Sequence, residues 1–408
     1  MKKTFFWICC LTACIAIAVR PAASSQISTT TAIINANIID GIGNQPILNA
    51  TVMIRDGKIS GIAANSRSVP AGASVIDLKG YWLLPGFVDA HTHIADMRSA
   101  RAALVSGVTT ARNLGIPYFV DKGIGELNRR GVTDVPELLC AGYHVRVRPV
   151  EEFFISFPQL QDLMGGVRGE TAVRRVVRAQ IDRGVDVIKI NATERAGLPD
   201  TDPRQRTFTD EEIAAIVDEA RKSNIYVASH AHGDEGAFAS VRAGVRSIEH
   251  GTYLSDKTLA LMKERGTFFV PTISTMAEMI EPRNDVILQI RGKHMAPRVR
   301  ETTAKAIKMG VKILAGTDTE YDRTSNFRLA NEIQELVNCG MAPMEAIKAA
   351  TSYSAECAGI QNRTGAIKIG LEADLIAIER DPLTDVRSLQ DVLLVINNGK
   401  VALNRLKW

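Results

Sequence analysis

The sequence predicts an α/β protein, a (β/α)8 TIM barrel accompanied by a small composite β-sandwich domain that both chain ends form together. Three observations carry this expectation. Between residues 86 and 365, eight short apolar runs alternate with helical patterns, as a barrel requires. Residues 30–85 and 366–408 instead read as short β-rich runs separated by turns, with too few strands at either end for an independent core. The apolar run from Leu83 to Val88 leads into Asp89-Ala90-His91-Thr92-His93, so two histidines one residue apart share a strand face and can share one metal ion.

The first residues are different in kind. Lys2 and Lys3 precede an apolar run over residues 5–19, and Ala22, Ala23, Ser24 and Ser25 follow. That is the layout of a secretory signal peptide, residues 1–24, which predicts a periplasmic or secreted protein. Two other readings share the segment. A retained membrane anchor would be short for a span. A lipoprotein signal at Leu11-Thr12-Ala13-Cys14 would anchor the chain through Cys14, but leaves apolar residues 15–19 just beyond the modified cysteine. Beyond this segment remain Cys140, Cys339 and Cys357, without metal-ligand spacing; buried free thiols are expected, with at most one pair among them.

At 408 residues the chain suffices for one large domain plus a smaller one, and 46% hydrophobic with 23% charged residues argues against disorder and against multiple membrane spans. The formal charge of +4 falls to +1 once Lys2, Lys3 and Arg20 are removed, and no basic block survives. No nucleic-acid partner is therefore expected. The expected partner is a small-molecule or dipeptide substrate, with no stable membrane span after processing; a homo-oligomer stays open.

In chain order, β-rich runs cover residues 32–39, 50–55, 59–63 and 74–78, and Asp56-Gly57 signals a hairpin between two of them. Barrel strands are expected at 87–93, 108–114, 137–143, 185–190, 225–230, 247–250, 267–272 and 312–318. Helices such as 171–183, 209–223 and 298–309 each end at Gly or Asn, and Thr209 with Glu212 resembles a capping box. No Gly-rich phosphate turn follows the early strands, which disfavours an open doubly wound sheet. The longest irregular connections, 144–169, 191–208 and 273–297, follow the carboxyl ends of strands, where barrel active sites are built. Residues 374–378, 391–396 and 401–403 return to β character around the turn Asn397-Asn398-Gly399-Lys400.

Six side chains terminate these apolar runs: His91 and His93 on the first strand, Lys189 on the fourth, His230 on the fifth, His250 on the sixth and Asp318 on the eighth. Any one alone is an ordinary core histidine or a helix cap. Six on the carboxyl rim of one barrel point to a metal and catalytic site.

The order Pro85-Gly86-Phe87-Val88-Asp89-Ala90-His91-Thr92-His93, Val187-Ile188-Lys189, Ser229-His230-Ala231-His232-Gly233, Ser247-Ile248-Glu249-His250-Gly251 and Ala315-Gly316-Thr317-Asp318 resembles the binuclear metal-dependent amidohydrolase superfamily, from about residue 30 to the end. Residues 242–251 and Ala349-Ala350-Thr351 are most similar to its imidazolonepropionase-like and Xaa-Pro dipeptidase-like group. The resemblance implies two divalent metal ions per chain, one held by His91, His93 and Asp318 and one by His230 and His250. Lys189, converted by carbon dioxide to a carbamate, would bridge them. An apolar strand depresses a lysine pKa, and the neutral amine can form that anionic carbamate. Zinc (Zn2+) is the expected metal because imidazole and carboxylate suit it; manganese, cobalt and iron stay open. Two metals flanking a water would lower its pKa, and Asp318 would act as general base and then acid.

The resemblance also places a carbonyl-polarising or carboxylate-gripping histidine at His144. Expected substrate contacts are Tyr143, His144, Arg146 and His232. Arg146 and Arg148 suit an anionic substrate terminus or, equally, a solvated loop face. His232 is expected to support the site rather than to ligate, since a turn is expected at Gly233. Asn113, Tyr143 and Asn191-Ala192-Thr193-Glu194-Arg195 depart from the family pattern, which alters the pocket and so bears on the substrate more than on the reaction class.

The expected function is an exported amidohydrolase cleaving a peptide or N-acyl amino acid bond, dipeptidase- or carboxypeptidase-like. Lactone, carbamate or organophosphate hydrolysis on the same metal pair is the alternative, as is hydrolysis of a bulky aromatic N-acyl amino acid of mycotoxin type. Lys189 argues against a one-metal deaminase. A catalytically inactive binding protein would be expected to have lost ligands, and all six positions are present.

Overall fold

Five strands lead into the barrel: β1 (Thr30–Ile38), β2 (Ile47–Arg55), β3 (Lys58–Ala64), β4 (Ser74–Asp77) and β5 (Trp82–Pro85). In this computed structural model residues 30–66, 68–322 and 327–406 are described, so the signal-peptide and Cys14 readings lie outside the described residues. The barrel strands are β6 (Phe87–Thr92), β7 (Val108–Asn113), β8 (Glu137–Cys140), β9 (Val187–Asn191), β10 (Tyr226–Ala231), β11 (Ser247–His250) and β12 (Phe268–Val270). The chain closes with β13 (Leu375–Ile378), β14 (Val392–Asn397) and β15 (Lys400–Asn404).

Strands from both chain ends form one eight-stranded sheet, ordered β15-β14-β13-β5-β1-β2-β3 with β4 beside β1. The junction is the antiparallel pairing of β13 with β5, Leu375 opposite Pro85. Both turns anticipated from sequence have two successive left-handed residues, Asp56 and Gly57 (φ 52° and 80°) and Asn398 and Gly399 (φ 51° and 74°). This is the geometry that matches strand twist in a tight hairpin. The two turns pack on each other: a Cβ on Gly399 would lie 2.4 Å from the Gly57 Cα. The sheet therefore curls until its ends meet, around a core that includes Ile33, Val52, Leu83, Leu375 and Leu394.

In the barrel, β6-β7-β8 and β9-β10-β11-β12 are two runs of parallel pairing. Val145 joins the runs, donating its N–H to Lys189 O at 2.7 Å. Residues 312–319 close the other side: Leu314 N–H reaches Phe269 O at 2.8 Å, and Asp318 N–H reaches His91 O at 2.7 Å. The eighth strand expected at 312–318 is thus an extended segment with isolated bridges rather than a regular strand. The cause is a side chain: the Thr317 N–H goes to Asp89 Oδ1 at 3.1 Å instead of to a neighbouring strand. Gly316 lets the segment approach, since a Cβ there would sit 3.0 Å from His91 Cβ and 2.6 Å from Val270 Cγ1.

Further boundaries differ from expectation. The helix expected at 298–309 begins twelve residues earlier, Val286–Met309, and runs through Pro297. Asp285 caps it by accepting from Ile287 N–H, and Gly292, Met295, Ala296 and Val299 bury its inner face, which outweighs the proline. The connection 273–297 accordingly also holds the short helix Ile273–Glu278. Cys140, Cys339 and Cys357 are free thiols. Among the described residues no helix is long and apolar enough to cross a membrane.

Candidate metal centre

The strand ends deliver the polar side chains to one cluster. Two groups each bring three ligand atoms within 4.8 Å of one another: His91, His93 and Asp318, and His230, His232 and His250. The groups adjoin, with the His91 and His250 rings 5.2 Å apart. Lys189 is buried beside them, its Nζ 3.4 Å from His91 Nε2. His232 lies at the bend directly after β10, and its ring stacks on His250 at 4.8 Å. One of its ring nitrogens lies within 4.8 Å of the donor atoms of His230 and His250.

Each histidine of the two groups has one ring nitrogen tied to the protein. His91 Nδ1 lies 2.9 Å from Glu249 Oε2, His93 Nδ1 3.1 Å from Gly115 O, and His230 Nε2 3.1 Å from Glu194 O. His232 Nδ1 and His250 Nδ1 lie 2.9 and 2.8 Å from the hydroxyls of Thr252 and Thr272. Carbonyl and carboxylate oxygens only accept, so the first three rings donate there and keep the other nitrogen's lone pair for the cluster. Metal-binding histidines require this arrangement, and the donor set fits divalent ions.

Electrostatics agree with that fit. Burial pushes His91 down to about 4 and His232 to about 3, and holds His230 and His250 well below the ordinary histidine value, so these imidazoles are neutral. Burial lowers Lys189 to about 8, against the opposing pull of Glu249 and Asp318. Burial also raises Asp318, but the positive charge around it, Lys189 included, outweighs it and keeps the carboxylate ionised. Its Oδ1 sits 3.2 Å from His91 Nε2 and 3.0 Å from His93 Nε2.

Two residues of the cluster hold strained backbone, His250 at φ 73° and Asp318 at φ 54°. At His250 this matters for aim. Along a regular strand Glu249 and His250 would point to opposite faces. Ser247 and Glu249 face Arg112 inside the barrel, and the left-handed His250 turns its ring back into the same site.

The remaining anticipated residues are placed as follows. Tyr143 lines the cavity, but its hydroxyl is engaged by Tyr118 N–H, Glu152 O and Ser156, and its ring packs edge-on against Phe119 and Phe153. His144 has both nitrogens engaged: Nε2 donates to Leu114 O at 2.7 Å, and Nδ1 accepts from Arg146 at 2.9 Å. Polarising a carbonyl from His144 requires releasing one of these bonds. Arg146 lines the cavity, whereas Arg148 is exposed and does not. Asn113 bonds Ile94, Thr92 and Asp121, bracing β6 and β7 away from the cluster.

Sequence reasoning passed over Glu249, Arg112 and Asp89, and named Arg195 only within the segment that departs from the family pattern. Glu249 is buried, held at about 2 chiefly by Arg112 against the effect of burial, and orients His91. Asp89 ties β6 to Thr317 and Tyr321, with burial raising it to about 6. Both acids stood in the quoted motifs; buried acids in apolar strands were the available signal. The cavity over the cluster has a volume of about 540 Å³, with an apolar side that includes Ile116, Val150, Phe153, Met276 and Met279.

The sequence pattern of the Amidohydrolase family matches residues 82–402. The chain belongs to the amidohydrolase family. It is 36% identical to an ochratoxinase of Aspergillus niger over 227 residues, 55% of this chain and 47% of that protein. The chain thus spans about half the length of that curated relative in the match. Among solved structures, a Xaa-Pro dipeptidase with bound methionine in its active site superposes with a TM-score of 0.83 at 29% identity, covering 91% of this chain and 99% of that one. The Aspergillus niger ochratoxinase structure superposes at 0.79 with 29% identity, covering 92% and 96%. Amidohydrolase-family membership and the barrel with its additional β-sheet are therefore common to sequence, structure and relatives.

Proposed function

We propose that this amidohydrolase-family protein is a two-metal hydrolase of amide bonds, acting on a peptide or an N-acyl amino acid. The observation that carries the reading is the convergence of two three-residue donor groups beside a buried lysine at the carboxyl ends of parallel strands. His91, His93 and Asp318 would hold one divalent ion, zinc by ligand chemistry, and His230 and His250 the other, with His232 within ligand reach. Bound ions supply an activated water and a Lewis acid for the scissile carbonyl.

The chain's own residues supply the rest. Lys189, its pKa lowered by burial, is the residue that would take up carbon dioxide as a carbamate, its neutral amine forming the N–C bond as one proton leaves to solvent, and the carbamate would supply the anionic oxygens beside the two groups. Asp318, ionised at the cavity floor, takes the proton of the attacking water and returns it to the departing amine. Glu249 fixes the His91 tautomer. The apolar side of the cavity takes the substrate's hydrocarbon part. The similarity to a Xaa-Pro dipeptidase and to an ochratoxinase supports amide chemistry. Export is proposed from residues 1–24 alone and is tested by fractionation with amino-terminal sequencing of the mature protein.

The experiment is turnover by the zinc-loaded protein of a panel of dipeptides, N-acyl amino acids, lactones and carbamates. Turnover confined to the amides, lost on chelation and restored by metal, is the expected result. Turnover of lactones or carbamates alone would replace the amide reading with the other hydrolytic one.

A further inference from the structure

Two guanidinium groups line the cavity, Arg146 and Arg195, neither of them ion-paired with a carboxylate among the described residues. Arg146 is partly buried; one terminal nitrogen donates to His144 Nδ1 at 2.9 Å, and its Nε is buried with no hydrogen-bond partner among the described residues. Arg195 lines the same cavity, and its side chain makes no ion pair among the described residues. Its charge is felt at Lys189, His144, Arg146, His230 and His232. Glu194 partly offsets Arg146 without pairing with it, and Glu320 lies exposed on the lining. Two fixed cations lining one cavity without an ion-pair partner favour an anion between them.

Both groups are held in place by the protein. His144 is itself fixed by Leu114 O, so it holds the Arg146 fork from behind. Arg195 sits on a loop gripped by Arg291 of the helix Val286–Met309, whose guanidinium donates to the carbonyls of Ala196, Leu198, Pro199 and Thr201. A preorganised pair of planar forks suits a carboxylate.

We propose that Arg146 and Arg195 form an anion subsite that receives the carboxylate of the amino acid on the amine side of the scissile bond. This rests on the amide-hydrolase reading and narrows it to acyl amino acids with a free carboxylate. Neutral amides, carbamates and lactones leave the subsite empty. His144 acts as a positioning residue for Arg146.

The test compares N-benzoylphenylalanine with N-benzoylphenethylamine, which carries the same scissile amide without the carboxylate, on the zinc-loaded full-length protein. The wild type is expected to prefer the acid in kcat/KM by at least about 100-fold, the discrimination typical of a site left with unpaired polar groups. Arg146→Gln and Arg195→Gln should each cut that ratio about tenfold or more, mainly through KM, with partial recovery in Arg146→Lys. A merely structural role would slow both substrates equally and keep the ratio, which would overturn the proposal, as would wild-type preference for the neutral amide. If neither amide is hydrolysed, the amide reading fails, and calorimetric binding of the same two compounds still decides the subsite. Carboxylate-dependent binding lost in the Arg146→Gln/Arg195→Gln double variant supports it; equal binding of both compounds overturns it.

Discussion

Glu249 holds His91 by its ring Nδ1, 2.9 Å from a carboxylate oxygen, and so directs Nε2 at Asp318 and Lys189. The same carboxylate takes Arg112 at 2.8 Å through its other oxygen. A charge placed behind a ligand histidine fixes its tautomer and raises its basicity. Glu249→Gln is accordingly expected to weaken metal binding by roughly 10- to 100-fold, read by competition with a chromophoric chelator. Unchanged affinity would show that Glu249 serves only to neutralise Arg112.

Lys189→Ala and Asp318→Asn should each lower amide hydrolysis by at least about 1000-fold, since each removes a group acting on the reacting atoms. Both residues sit at the carboxyl rim, so the far-ultraviolet circular dichroism spectrum should stay that of the wild type. Wild-type turnover in either metal-loaded variant would contradict the site assignment.

Arg291→Met removes the four carbonyl contacts that tie down residues 196–201. The expected result is a KM for anionic substrates raised about 3- to 10-fold with kcat nearly retained, because binding in an ordered pocket is what the loop provides. A fall in kcat at unchanged KM would assign the loop to chemistry instead.

The composite sheet carries its own pH dependence. Burial lifts Asp374 from 3.8 to about 6, against the opposing hydrogen bonds from Asn398 N–H and Thr364. The folded chain therefore binds this proton more tightly than the unfolded chain, and the stabilisation present below pH 4 is lost as pH rises through 6. Asp374→Asn keeps the shape without the ionisation. Urea unfolding should show the variant gaining roughly 2–3 kcal/mol relative to wild type between pH 4 and pH 7.5. A difference independent of pH would contradict the burial argument.

Much of this was legible in the chain because periodicity and turn chemistry act locally. Asp56-Gly57 and Asn398-Gly399 form the turns their residues demand, and Thr209 with Glu212 forms its capping box. His91, His93, Lys189, His230, His250 and Asp318 could be gathered because each ends an apolar run. What sequence did not show depends on long-range contacts. Pro297 hides a 24-residue helix whose buried face overrides it. Asp89 captures the Thr317 N–H and breaks up the eighth strand. His250 escapes strand alternation through its left-handed backbone, so Glu249 could share its site unseen. Arg195 stood in a segment that departs from the family pattern, but where it points depends on a loop clamped by Arg291, about a hundred positions away.

The two donor groups about Lys189 are proposed to hold two divalent ions in this amidohydrolase-family barrel. Metal content per chain, measured by mass spectrometry on protein purified with zinc and desalted, tests it most directly. Two ions per chain in the wild type, falling in Lys189→Ala, is the predicted result. One ion or none in the wild type, or two retained without Lys189, would contradict it.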